Sequence, residues 1–165
     1  MRIAGLSVAS IAAVAAAIIV LGALGAWLTD LSPWYYNLRK PAIQPPDKLF
    51  GPAWSLIFAF MGSALVIAWN SASATSTQRL VLLCAAGANF LLNLCWSLLF
   101  FRKRRPDLAL LEVGVFWLSI AAMMVAVRPM STTAMWLLLP YLLWVSFASL
   151  LNQRVVALNG PFPHS

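Results

Sequence analysis

Five long apolar stretches, separated by short polar or basic segments, run along the chain. They cover residues 3–28, 53–69, 80–101, 108–127 and 133–158. About 20 apolar residues are enough for an α-helix to cross the hydrocarbon core of a bilayer. The pattern therefore predicts an all-α fold, in which residues 1–165 form a single integral membrane domain built as a bundle of five transmembrane helices.

The first stretch also has features of a signal peptide, since Arg2 precedes it and residues 23–26 are rich in small side chains. Its apolar core exceeds twenty residues, however, whereas a signal sequence has an apolar core of about 7–15 residues. A transmembrane helix is therefore the favoured interpretation.

The composition agrees with a membrane protein. Hydrophobic residues make up 62% of the chain and charged residues 9%, whereas a soluble domain carries about 25% charged residues. The net charge of +7 raises the question of a nucleic-acid partner. Such a partner needs cations on one contiguous surface, and here they are divided among the connections between apolar stretches. We expect membrane lipid, and no nucleic acid, as a partner.

The basic residues also predict the orientation of the spans. Eight lie on the side that holds loop 1–2, loop 3–4 and the C-terminal tail, and three lie on the other side. The positive-inside rule places the more basic side in the cytoplasm. We therefore expect a multi-pass protein, in a bacterial membrane, whose C-terminus and loops 1–2 and 3–4 are cytoplasmic.

The longest connection, residues 29–52, is rich in proline and aromatic residues. Proline fixes φ and removes a backbone donor, so this loop is expected to be stiff and not regularly helical. Its aromatic side chains have two interpretations, an interfacial belt at the membrane surface or a lid over a cavity between the helices. The residues alone leave both open.

Polar side chains within the spans need partners, because an amide that faces lipid costs on the order of a few kcal/mol. Asn89, Asn93, Trp96 and Ser97 fall on one stripe of the third helix. The stripe is expected to face inward. It would supply either interhelical hydrogen bonds or a polar wall that orients a ligand.

Aromatic side chains mark two further helices. One face of the fifth helix carries Pro140, Tyr141, Trp144, Ala148, Leu151 and Asn152. A large ring beside the small Ala148 suits the stacking of a flat ligand. In the second helix Trp54 and Phe58 share a stripe. Aromatic stripes are more often core packing, and for both helices this interpretation stays open.

Glu112 is the one carboxylate well inside a predicted span. Intramembrane acids are functional candidates, but Glu112 is shallow, and Arg104 or Arg105 is within reach. A structural ion pair is the favoured interpretation.

Conventional catalytic chemistry finds no support in the sequence. The sole histidine, His164, is expected to be a solvated tail residue, and Cys84 and Cys95 lie ~16 Å apart along one helix, too far for a bridge. No metal-ligand cluster or glycine-rich phosphate loop is present. We predict no metal site, no required cofactor, and an aromatic cavity with polar edges.

Three motifs occur in a characteristic order. Residues 34–41 read WYYNLRKP, and PP at 45–46 and FGPAW at 50–54 follow. The third helix carries N-x3-N-x2-WS-x2-FF over 89–101, and the fifth carries PYLLW-x3-A-x2-LN over 140–152. Together with eight tryptophans, these motifs resemble the TspO/MBR family, the tryptophan-rich sensory proteins related to the translocator protein, or peripheral-type benzodiazepine receptor.

The resemblance implies a five-helix bundle, often a homodimer, that binds porphyrins, sterols, and isoquinoline- or benzodiazepine-type ligands in a cavity under the first loop. Ser97 is a candidate ligand-binding residue from the polar stripe. The positions that match the family's ligand site are Tyr35, Pro45, Trp54, Asn89, Asn93, Trp96, Trp144, Ala148 and Leu151.

The sequence departs from the family pattern at two places. Ile43 stands where the loop motif has a tryptophan, which is expected to remove an aromatic side chain from the lid. The sterol motif at the end of the fifth helix lacks its aromatic residue before Arg154, which argues against sterol binding there.

We therefore predict a membrane receptor or regulator that binds a protoporphyrin IX-like tetrapyrrole. Trp54 and Trp144 are expected to flank the macrocycle, and Arg39 and Lys40 to meet its propionates. A rival interpretation is light- and oxygen-dependent porphyrin degradation, since tryptophans matching Trp54 and Trp144 are associated with it in some bacterial family members and would then be catalytic. The same residues are also compatible with a porphyrin or sterol transporter and with a scaffold that binds no ligand.

Overall fold

The computed structural model describes residues 2–3 and 5–162. His164, expected to be a solvated tail residue, lies outside this part of the chain. Two short strands, β1 (Arg2–Ile3) and β2 (Leu6–Ser7), pair antiparallel ahead of the first helix. The helices are α1 (Val8–Leu28), α2 (Pro33–Asn37), α3 (Phe50–Trp69), α4 (Ser76–Ser97), α5 (Pro106–Val127), α6 (Thr132–Leu137) and α7 (Leu139–Asn159).

Five segments are long and apolar enough to cross a membrane, which confirms the predicted all-α bundle of five spans. A 3₁₀ turn at Asp47–Leu49 extends α3, and a π-helical turn at Leu98–Arg102 extends α4. The segments are Val8–Leu28, Asp47–Trp69, Ser76–Arg102, Pro106–Val127 and Thr132–Asn159. The protein is therefore a multi-pass integral membrane protein.

Local chemistry explains where the observed helices begin. Thr75 and Gln78 form a reciprocal capping box, in which each side chain accepts a hydrogen bond from the other residue's backbone N–H. This box starts α4 at Ser76, earlier than the apolar run predicts. Pro52 lies in the first turn of α3, where the missing N–H has no intrahelical partner to lose, so α3 begins ahead of it.

The connection between α1 and α3 is more ordered than expected. The prediction that it contains no regular helix is wrong for Pro33–Asn37, which form α2. Pro33 occupies the first turn, where its fixed φ suits a helix. Residues 38–46 contain no helix. This connection, residues 29–49, is called the lid loop below.

The core forms where the helices cross. α4 packs on α5, α5 on α7, and α1 on α3 and α4. Gly62 of α3 lies against Ile18 of α1, and a Cβ at that position would require the end of the Ile18 side chain to move. The most deeply buried core side chains include Leu21, Ile120, Met123, Val127, Leu138 and Tyr141. The cavity described next lies beside the C-terminal half of α1, where Leu21 and Leu28 are buried and Gly22 and Gly25 border open space.

Candidate ligand-binding cavity

A cavity of about 590 Å³ lies between the lid loop, the C-terminal half of α1 and parts of α3, α4 and α7. Small-molecule sites usually have volumes of roughly 300–1,000 Å³. All the predicted ligand-binding residues line this cavity except Pro45 and Asn89: they are Tyr35, Trp54, Asn93, Trp96, Ser97, Trp144, Ala148 and Leu151. The sequence stripes on α4 and α7 therefore converge on one space.

Trp54 and Trp144 form one aromatic corner of the cavity. Their ring centroids are 6.3 Å apart and their planes meet at 81°. A flat ligand held between two rings needs them parallel and ~7 Å apart, at one van der Waals distance from each. The two rings do not form a parallel pair in this structure, and the expectation that Trp54 and Trp144 flank a macrocycle stays a prediction. Both rings line the cavity, and they meet each other edge to face.

A second aromatic group faces this corner from the end of α4. The rings of Trp96 and Phe100 stack with centroids 5.0 Å apart, and Phe101 meets Trp96 edge to face. The π-helical turn, marked by the hydrogen bond from Lys103 N to Leu98 O, carries both phenylalanines. Although adjacent in sequence, Phe100 and Phe101 both line the cavity. π-Helical turns are frequent at functional sites.

Asn93 supplies a polar group in this aromatic wall. Its Nδ2 lies 3.5 Å from the Tyr141 hydroxyl. Its Oδ1 meets no hydrogen-bond donor among the described residues, and Asn93 lines the cavity. Ser97 Oγ donates to the Asn93 carbonyl at 3.3 Å. Asn93 and Ser97 therefore fit the interpretation of the polar stripe as a ligand-orienting wall.

Asn89, which the family resemblance places in the ligand site, does not line the cavity. The side chain is 1% exposed. Its Oδ1 accepts a hydrogen bond from the Tyr141 hydroxyl at 3.0 Å, and its Nδ2 donates to Ser119 Oγ at 2.8 Å. Asn89 thus joins α4 to α7 and α5, as the interhelical interpretation of the stripe expects for this one position.

Charged and polar groups collect where the lid loop closes the cavity. Tyr35 Oη donates to Asp47 Oδ1 at 2.7 Å, and Gln44 Nε2 donates to the Tyr35 hydroxyl at 3.2 Å. Lys40 Nζ lies 3.5 Å from Asp47 Oδ2 and 3.7 Å from the centre of the Tyr35 ring. Burial and the neighbouring Asp47 carboxylate raise the pKa of Tyr35 well above its usual range. All four residues line the cavity.

The lid loop is attached to the end of α7 by a pair of hydrogen bonds. Arg39 N donates to Asn159 Oδ1 at 2.8 Å, and Asn159 Nδ2 donates to Arg39 O at 2.9 Å. The Arg39 side chain is exposed and does not line the cavity, so the expectation that it meets a ligand's propionates is not supported by the geometry. Lys40 is the cation at this end.

Pro45 and Ile43 both lie away from the cavity wall. Pro45 is expected in the ligand site but does not line the cavity, whereas Gln44 before it and Asp47 two residues after it do. Ile43 is 53% exposed. The replacement of the family's tryptophan by Ile43 therefore alters the outer surface of the lid loop rather than the wall of the cavity.

The expected ion pair of Glu112 is absent. Arg105 pairs with Asp107 at 2.6 Å, and Arg104 lies 3.9 Å from Asp30. Both Glu112 carboxylate oxygens are shielded from solvent and have no hydrogen-bond partner among the described residues. Arg105 pairs with Asp107 rather than with Glu112, because Asp107 is only two residues away from it at the start of α5.

Sequence patterns did not reveal the contribution of α1 and of Asp47. Gly22, Gly25 and Ala26 of α1 line the cavity, and a Cβ at either glycine would enter open space. The spacing of these three small residues on one face of α1 is the sequence feature that could have revealed their place in the cavity wall. Asp47 could be found only through its contacts, because Tyr35 is twelve residues away. Across residues 2–3 and 5–162, no group of His, Cys, Asp and Glu side chains could hold a metal ion.

Comparisons with known proteins find one family whose model matches most of this chain. The model of the TspO/MBR family matches residues 13–158. The tryptophan-rich protein TspO of Chlorobaculum tepidum is 39% identical over 127 residues, 76% of this chain and 80% of that protein. The protein of the same name from Archaeoglobus fulgidus is 35% identical over 87% of this chain and 93% of its own length. The human translocator protein is 32% identical over 74% of this chain and 72% of its own length.

Proposed function

The chain belongs to the TspO/MBR family, and from that premise we propose that it is a membrane receptor or regulator whose cavity binds a tetrapyrrole of the protoporphyrin IX type. The observation that carries the proposal is the convergence of aromatic rings from α3, α4 and α7 on one cavity closed by a polar loop. A flat amphipathic ligand with acidic groups at one edge matches that distribution. A scaffold without a ligand has no need of such a cavity.

The contacts suggest how the ligand would lie. The face of its ring system would stack on one indole of the Trp54–Trp144 corner. Asn93 Oδ1 would accept a hydrogen bond from a ring N–H. A carboxylate at the lid loop would approach Lys40, whose charge is shared with Asp47. The same cavity is proposed for the isoquinoline- or benzodiazepine-type ligands and sterols implied by the family resemblance.

The test is a titration of the detergent-solubilised protein with protoporphyrin IX in the dark, followed by tryptophan fluorescence. We expect saturable quenching at one ligand per chain. Trp144→Phe should raise the dissociation constant, whereas Trp136→Phe should leave it unchanged, because Trp136 is 58% exposed and lies outside the cavity. The comparison uses dissociation constants because either substitution alters the quenching amplitude. Non-saturable quenching, or equal effects of both substitutions, would contradict the proposal.

Porphyrin degradation is the second candidate, and the contact between Trp54 and Trp144 on the cavity wall favours it. A bound porphyrin would lie against both oxidisable indoles, with dioxygen as the oxidant under illumination. Illuminating the complex in air should change the porphyrin spectrum, and the change should disappear in Trp144→Phe at saturating ligand. Binding without any spectral change would leave the receptor as the function. Transport would instead require porphyrin flux into liposomes with turnover beyond the amount bound.

We also propose that the chain is a homodimer and that the lid loop, the α4–α5 connection and the C-terminus face the cytoplasm. Four consecutive basic residues, 102–105, lie at the end of the π-helical turn and just after it, and the lid loop adds more. Mass measurement in detergent tests the dimer. Fluorescent-protein and alkaline-phosphatase fusions at the C-terminus test the orientation, since only the first should be active if the C-terminus is cytoplasmic.

A further inference from the structure

A second, apolar groove lies at the opposite end of the bundle from the ligand cavity. Its volume is about 330 Å³. It runs between the start of α1, the end of α3 and the start of α4, and its apolar walls include Ala13, Val14, Leu65, Trp69, Leu83 and Ala86. From Ser7 to Val14 the groove follows α1 for roughly 10 Å into the bilayer. It is therefore open to a lipid chain rather than to water.

The polar end of this groove is held in place by one side chain. Asn70, just after α3, accepts a hydrogen bond from Ser7 N and donates one to Ser10 Oγ, each at 2.8 Å. It also donates to Val66 O at 2.8 Å. Asn70 thereby joins the start of α1 to the end of α3 at this end of the groove.

Arg79 does not line the groove itself but contacts Trp69, one of its wall residues, and precedes the wall residues Leu82 and Leu83 on α4 by about one turn. Its Nε donates to Trp69 O at 3.0 Å and its Nη2 to Ser71 O at 3.4 Å. The guanidinium carbon is 6.0 Å from the centre of the Trp69 ring. A guanidinium has five N–H donors, so more donors remain than these two bonds use. No carboxylate lies within ion-pair distance of Arg79 among the described residues.

The charge around this end of the groove is purely positive. The chain has four acidic residues, Asp30, Asp47, Asp107 and Glu112. Asp30, Asp47 and Asp107 lie at the end of the bundle that the lid loop covers. Glu112 lies ~22 Å along α5 from Val127, which is at the groove end. Arg128, exposed after α5, adds a second cation to this end. The groove end is therefore complementary to an anion.

We propose that this groove binds one acyl chain of an anionic phospholipid, whose phosphate is held by the fixed guanidinium of Arg79. The apolar walls, the interfacial level of Arg79 and the absence of neighbouring acids among the described residues favour a lipid with a net negative charge over a zwitterionic one. The site is separate from the tetrapyrrole cavity, so this proposal does not depend on the proposed function.

The test compares dioleoyl phosphatidylglycerol with dioleoyl phosphatidylcholine, added to the detergent-purified protein and counted by native mass spectrometry. The wild type should retain one phosphatidylglycerol per chain in preference to phosphatidylcholine. Arg79→Gln should weaken phosphatidylglycerol binding about five-fold, because one basic residue near an anionic lipid contributes ~1 kcal/mol. The matched control Arg128→Gln, at the same end of the bundle but outside the groove, should change it little.

A second pair of variants tests the groove itself. Ala13→Phe should block it and prevent retention of both lipids, whereas Ala12→Phe, on the neighbouring lipid-facing position, should not. This pair keeps the proposal testable if Arg79→Gln, which removes a cap from the end of α3, fails to fold. Equal losses in Arg79→Gln and Arg128→Gln would overturn the proposal in favour of long-range attraction. If Ala13→Phe keeps the lipid and changes the oligomeric state, the groove's occupant is a second copy of the chain.

Discussion

The Tyr141 hydroxyl donates a hydrogen bond to Asn89 Oδ1 at a distance of 3.0 Å, and both side chains are buried. The same hydroxyl lies 3.5 Å from Asn93 Nδ2, one turn further along α4. The contacts of Tyr141 therefore distinguish the roles of two asparagines that occupy equivalent positions in the sequence pattern. Asn89 stabilises the bundle, whereas Asn93 faces the cavity.

Asn89→Ala and Asn93→Ala should therefore have different effects. Loss of the Asn89 amide removes the acceptor of the Tyr141 hydroxyl and the donor to Ser119 Oγ, and it should destabilise the fold by about 1 kcal/mol. Asn93→Ala should weaken protoporphyrin IX binding several-fold with a smaller change in the unfolding temperature. Thermal unfolding and the fluorescence titration measure the two effects. Equal losses of affinity with no loss of stability in Asn89→Ala would contradict the assignment.

Ala148 sets the free space in the cavity beside α7. The larger side chain in Ala148→Leu should occupy the cavity and weaken porphyrin binding by about tenfold or more, which corresponds to ~1.4 kcal/mol. The fold should be retained because the new atoms enter open space. Ala157→Leu on the exposed face of the same helix is the matched control. Similar affinities for the two variants would show that the ligand binds elsewhere.

Asn159 holds the lid loop to α7 through its two hydrogen bonds with the Arg39 backbone. We expect Asn159→Ala to speed both association and dissociation of protoporphyrin IX, because the loop then opens more often. The dissociation constant should change less than either rate. Stopped-flow fluorescence measures the rates. Unchanged rates would mean that the ligand enters by a path that does not involve the lid loop.

Tyr35 should make the protein sensitive to alkaline pH. Burial and the Asp47 carboxylate raise its pKa in the folded state above the unfolded value of about 10. Above that pH the unfolded chain loses the Tyr35 proton while the folded chain keeps it, so stability falls as pH rises. The unfolding temperature should therefore drop less steeply above pH ~10 in Tyr35→Phe than in the wild type.

Tyr36→Phe is the control for that experiment, because Tyr36 is 58% exposed and makes no hydrogen bond to Asp47. The Tyr36→Phe profile should follow that of the wild type. Parallel profiles for Tyr35→Phe and the wild type would contradict a role for the Tyr35–Asp47 contact.

Glu112 is expected to destabilise the fold, because its shielded carboxylate has no hydrogen-bond partner among the described residues. A charged side chain in a membrane span is costly when it is not paired. Glu112→Leu should therefore leave the unfolding temperature at neutral pH equal to or above that of the wild type. A marked decrease would reveal a stabilising partner, such as a second chain, for this carboxylate.

Much of the site could be predicted from spacing along single helices. Asn93 and Ser97 on α4, and Trp144, Ala148 and Leu151 on α7, share faces that the helical period defines, and all line the cavity. Asn89 belongs to the same α4 stripe but is used by Tyr141 and Ser119. The period gives the face of a helix, whereas the neighbouring helix decides which positions on that face are left free.

The five membrane spans follow from the amino-acid sequence alone, because twenty apolar residues in lipid must form a helix that satisfies its own backbone. The packing of the folded chain was needed to establish that Trp54 and Trp144 meet edge to face and that Asp47 contacts both Tyr35 and Lys40. It also decided that Asp107, and not Glu112, pairs with Arg105. These relationships join separate elements or depend on rotamers, and helical spacing contains no information about either.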